Sequence, residues 1–109
     1  MALNFKTILR IQGGIMLKLY SFFWDCGRQG DLDGLFIADS KDVEQLIGKQ
    51  IYFGEVLGKH SEIYGTLEDK DLKVESEDQE KIIWLQGLLS NTVSGYNPFD
   101  YYHEDQQDI

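Results

Sequence analysis

Asp25, Cys26 and His60 are the residues of this sequence with the widest chemistry open to them. A thiol beside an imidazole can be held as a thiolate nucleophile, and a carboxylate can fix the ring. Asp25 and Cys26 lie in the stretch WDCGRQG at 24–30, and His60 lies in GKHSE at 58–62. Glycines flank both stretches, which places them on loops. A histidine suits acid–base work only when a partner orients it. Lys59 and Glu62 are too near in sequence to do that from neighbouring turn positions, so a partner would have to come from the other loop. One cysteine and one histidine form no family-specific spacing. No catalytic residue is assigned on this basis, and 58–61 reads first as a hairpin turn.

Metal and phosphate chemistry find less. His60 and His103 are far apart, Cys26 stands alone, and the carboxylates follow no known ligand pattern. Asp31 and Asp33 in GDLDG begin like a calcium loop, but an apolar LFIA run follows and the closing acid is Asp42 rather than a glutamate. GRQG and GEVLG lack the lysine–serine/threonine pair of a phosphate loop. No metal and no cofactor is expected.

Binding is the better use of these residues. Trp24, Asp25, Cys26 and Arg28 set a rigid ring, a carboxylate and a guanidinium at the end of an aromatic strand, and Trp and Arg are common interface anchors. An ion pair from Arg28 to Asp25, Asp31 or Asp33 is the plainer structural role. Lys59, His60 and Glu62 are ligand-contact candidates on the second loop. Tyr101 and Tyr102, with Tyr96 and Phe99, either pack back over the sheet or form an exposed strip that another molecule covers.

These residues must be carried by elements that hydrophobic periodicity can place. Residues 5–12 alternate as a strand and stop at Gly13-Gly14; either they are the first strand of the domain, or residues 1–15 are a segment appended ahead of Met16. Residues 17–24 alternate again, with apolar character on both faces, as in a strand covered on both sides. WDCGRQGDLDG reads as a loop leading to a short strand at 35–38. Asp39 or Ser40 caps a helix over 40–48, with Val43, Leu46 and Ile47 on one face. Strands at 51–57 and 63–67 form a hairpin across 58–61, and 72–76 is a further strand. Ser76 and Gln79 have capping-box spacing ahead of a helix over 78–90. Residues 91–98 read as irregular. The expected fold is α+β: one domain over 1–102, a single mostly antiparallel sheet of about five or six strands with two helices on it, and a disordered tail at 103–109.

Composition limits what such a domain can do. The 109 residues are 42% hydrophobic and 13% aromatic, enough for a core without disulfides or metals. One cysteine excludes an internal disulfide. No apolar run is long enough to cross a bilayer, and Lys6 and Arg10 interrupt the apolar start where a signal peptide would be continuous. A soluble cytoplasmic protein is expected. The net charge is −9, and 18 of the 19 acids follow residue 30. Such a chain repels nucleic-acid phosphates and anionic membranes, so neither is an expected partner. An acidic face can instead meet a basic protein.

The blocks LYSFFWDCG, DGLFIA, IGKQIYFGEVLGKHSEIYG and GYNPFDYY, within residues 16–102, resemble those of small uncharacterised bacterial proteins of the kind found in phages and mobile elements. The resemblance implies no activity, cofactor or catalytic residue. The function expected is that of a small acidic, non-enzymatic binding or regulatory protein, acting through an aromatic surface on a protein partner or by self-association. The alternative is a small-molecule-binding domain or small enzyme whose site forms where the 25–28 and 59–62 loops meet. Surplus apolar surface on the 17–24 strand and the tyrosine-rich end point to a homo-oligomer.

Overall fold

A computed structural model of the chain describes residues 15–103. The fold is α+β, with two helices and six strands in antiparallel pairs. The strand expected over 5–12 and most of the expected tail lie outside the described residues; His103 is exposed.

β1 (Leu17–Asp25) and β2 (Asp31–Asp39) form a long hairpin paired from Leu17↔Asp39 to Asp25↔Asp31. The expected loop over 24–34 is therefore mostly strand. Its glycines are used in a five-residue turn, where the Cys26 amide donates to the Gly30 carbonyl at 2.9 Å and Gly27 and Gly30 hold positive φ. Leu32, inside the stretch that looked like loop, is fully buried. β5 (Leu72–Ser76) adds to the outer side of β1, and β6 (Thr92–Gly95) adds to β2, giving the order β5-β1-β2-β6. β6 occupies part of the segment that reads as irregular. Its pairing needs glycine, because a Cβ on Gly34 would run into the Tyr96 backbone and one on Gly95 into the Asp33 carbonyl.

β3 (Gln50–Gly54) and β4 (Ile63–Thr66) form the second hairpin. They make their own two-stranded sheet rather than extending the first. Helix α1 (Ser40–Leu46) connects the two sheets in sequence, with the Asp39 carboxylate accepting from the Lys41 amide at its start. Its buried residues are Val43 and Leu46. The core forms where one face of the larger sheet, α1 and the smaller sheet converge: Tyr20, Phe22, Leu32, Phe36, Ile51 and Phe53 are among its buried residues.

The other face of the larger sheet meets helix α2 (Gln79–Leu89) at β1 and β6, and Ile82 of the helix is buried. The cap of α2 differs from the Ser76–Gln79 box. Asp78 is the N-cap, accepting from the Lys81 amide at 3.2 Å, while Ser76 accepts from the Asp78 amide. The Gln79 amide is thereby left to reach Leu17, accepting from its N–H at 3.2 Å and donating to its carbonyl at 2.6 Å.

Aromatic rings join these parts. Phe53 on β3 meets Phe22 and Trp24 of β1 at centroid distances of 5.6 and 5.3 Å, and Tyr101 and Tyr96 of the C-terminal segment at 4.7 and 6.0 Å. Phe99 meets Phe36 of β2 at 5.8 Å. The tyrosine-rich end thus packs on the core, and Tyr101 and Tyr102 are half-buried. Phe53→Ala removes a buried ring shared by both sheets, and is expected to cost about 3–5 kcal/mol. Urea unfolding followed by circular dichroism measures this, and a loss under about 1 kcal/mol would contradict so central a place for the ring.

Candidate functional site

The β1–β2 turn, strand β4 and the acidic turn at 68–71 border a cleft of about 550 Å³. Trp24 reaches it because strand alternation puts Tyr20, Phe22 and Trp24 on the core face, and Trp24 is the last of them before the turn. Its indole lies beside Gly65, where an added Cβ would come within 3.5 Å of the ring. The indole N–H donates to Asp71 Oδ2 at 2.8 Å. The same oxygen accepts from the Glu68 amide at 2.8 Å, and Lys70 Nζ stands 3.6 Å from Oδ1. This arrangement satisfies the one polar group of a ring that is otherwise packed on Phe22 and Phe53.

A shallower hollow of about 470 Å³ adjoins the first. Gln29, Glu62 and Tyr64 line both, and Glu55, His60 and Ser61 complete the second. The two loops singled out in the sequence therefore do come to one end of the molecule. Glu62 is held between the hollows by Tyr52, whose phenol donates to its carboxylate; that hydrogen bond, followed by burial, raises the Tyr52 pKa above its ordinary value. Tyr52 and Tyr64 stack across the hairpin at 6.2 Å. Tyr64 and Phe23 remain more than half exposed, offering open ring surface at the rim.

Cys26 and His60 are not assembled into a dyad. Cys26 lines the first hollow and His60 the second, and the Cys26 thiol is directed to the Trp24 carbonyl at 3.9 Å. Burial, then the charges of Asp25 and Asp31, push the thiol pKa up, the opposite of what a nucleophile needs. Asp25 accepts from the Gly27 amide at 2.9 Å and so braces its own turn. Arg28 is exposed, lines neither hollow, and forms no ion pair with Asp25, Asp31 or Asp33 among the described residues. Lys59 is likewise exposed and outside both linings. Tyr101 and Tyr102 lie among the residues packed on the core, away from these linings. No group of three His, Cys, Asp or Glu side chains among the described residues is placed to hold a metal.

His60 has a conformational role. The Ser61 amide donates to the Gly58 carbonyl at 3.1 Å, closing a four-residue turn with His60 at φ 69° and Gly58 at φ 155°. Strands β3 and β4 stop short of this turn, so it caps a wider loop than the sequence implies.

The sequence reading missed Tyr64, Gly65, Glu68 and Asp71. Alternation from Ile63 could have put Tyr64 on the outer face, but the link from Asp71 to Trp24 spans 47 positions and leaves no local signal. No protein-family model, curated protein or solved structure matches the chain. No helix among the described residues is long and apolar enough to cross a membrane.

Two measurements test this geometry. His60→Gly relieves a left-handed side-chain residue at the cost of a freer unfolded chain, and should stabilise by about 0.5 kcal/mol. His60→Val should destabilise by about 1 kcal/mol or more, and thermal melts that reverse this order would place the strain elsewhere. Cys26 should react with iodoacetamide more slowly than a free cysteine at neutral pH. Its rate should rise with a midpoint above the ordinary thiol value, since the reactive thiolate forms only as pH climbs past a raised pKa. Fast alkylation at neutral pH would contradict the burial and charge assigned to it.

Proposed function

We propose that this is a small acidic, non-enzymatic binding protein whose aromatic cleft takes a lysine- or arginine-bearing segment of another protein. The observation that carries this reading is the make-up of the cleft rim. Asp25, Glu62, Glu68 and Asp71 line it, and Lys70 is the one base of the lining among the described residues, held beside Asp71 and Glu68 at 3.6 and 3.7 Å. A cation entering there would meet carboxylates and the open faces of Tyr64 and Phe23, a favourable setting for ion pairing and cation–π contact together. The net charge of −9 would also steer a basic partner toward the protein. The raised Cys26 pKa and its separation from His60 weigh against thiol catalysis.

A second reading has one observation in its favour. Because the 25–29 and 60–62 loops border adjoining hollows, a small organic cation could be the ligand in place of a protein segment. Calorimetry on the Trp84→Phe protein, with Trp24 fluorescence as a second readout, separates the two. A short Arg/Lys-rich peptide should bind at least about tenfold more tightly than spermidine and weaken steeply with salt. Glu62→Lys should weaken it by a further factor of about ten. Equal affinity for spermidine would favour the small-cation reading. An absence of binding by either at millimolar concentration would remove both.

A further inference from the structure

Helix α2 is apolar on two sides, and the described residues cover only one. Ile82 is buried against the sheet, whereas Ile83, Trp84 and Leu88 are 56, 67 and 63% exposed. At 100° per residue these three lie together on the face opposite Ile82, with Gly87 between them. A helix with apolar side chains on two opposite sides has a second face to bury in an assembly. The three side chains present roughly 400 Å² of apolar surface, as much as the largest patch on many whole monomers. Gly87 adds a second observation. Glycine is a poor helix former, and a Cβ placed there would meet nothing within 4 Å. Packing among the described residues does not call for it.

We propose that this face pairs with the same face of a second copy, as an antiparallel helix pair about a twofold axis level with the midpoint of Leu85 and Gln86. That register sets Trp84 of one copy level with Gly87 of the other, and Ile83 level with Leu88, each twice over. The large ring gains a hole, and the small residue gains a reason. Charge favours the same occupant. On a protein of net charge −9, this face carries Glu80 in its first turn and Lys81 at its edge, whose charges cancel, so two copies meet here with less repulsion than the whole surface would give. The antiparallel sense also keeps Glu77, Asp78 and Glu80 of the two copies at opposite ends, whereas a parallel pair would superpose them. These three side chains alone supply about half of the roughly 800 Å² per partner of a standard interface. The pairing is independent of the cleft and leaves it open.

Sedimentation velocity on the full chain at about 50 μM should give twice the 12.6 kDa chain mass. Trp84→Glu should give the single-chain mass. Gly87→Gln enters open space in one chain but fills the hole in the pair, so it should keep the native circular dichroism while weakening association at least about tenfold. It decides the matter if Trp84→Glu fails to fold. A 12.6 kDa species for the unaltered chain overturns the proposal, as does a dimer that Gly87→Gln leaves undiminished.

Discussion

The Phe53 ring is the contact on which most of this structure depends. Only 4% of Phe53 is exposed, and its neighbours come from three separate parts of the chain: β1, the segment at Tyr96, and the turn at Tyr101. The smaller sheet has only two strands, and such a hairpin is marginal alone in water. It gains its stability by burying Ile51, Phe53 and Ile63 against the larger sheet. The same packing fixes Trp24, whose indole edge then forms one wall of the cleft. Core and candidate site are thus built from one aromatic cluster.

That economy explains the high aromatic content. With two short helices, the domain has little helical surface with which to cover its sheets, and rings supply more buried area per residue than aliphatic side chains. Tyr96, Phe99 and Tyr101 do for the core what a third helix would do in a larger domain. Most acidic side chains of the described residues then gather on the outside, while Asp39 is buried at a helix start and Asp71 is drawn in to satisfy an indole N–H.

What could be read from the sequence follows the range of the forces involved. Alternation placed β1, β3 and β4, and the Val43–Leu46 and Ile82–Leu85 spacings placed both helices, because each depends on residues a few positions apart. Three glycines in eleven residues made 24–34 look like a loop, when two of them serve a tight turn and Gly34 serves a backbone contact with Tyr96. β6 was hidden for a related reason: Thr92–Gly95 has little apolar character, and its pairing rests on two glycines rather than on burial. The division into two sheets is a choice of strand partners that periodicity does not encode. At the site, Trp24, Asp25, Cys26, His60 and Glu62 were legible as candidates by type, but Asp71 joins them only through tertiary contact.

The Gln79 side chain has a consequence for how this molecule meets its own unfolded relatives in a crowded solution. β5 pairs with β1 only as far as Leu19, so the peptide groups at Leu17 extend past the end of their neighbour. An open row of this kind is a template onto which a stray extended chain can add, the first step of domain exchange and of fibril growth. Gln79 presents its carboxamide to the Leu17 N–H and carbonyl as an adjoining strand would, from a helix that cannot itself be extended as a ribbon. One amide, borrowed from a neighbouring element, thereby acts as a stopper on the growing end of a sheet.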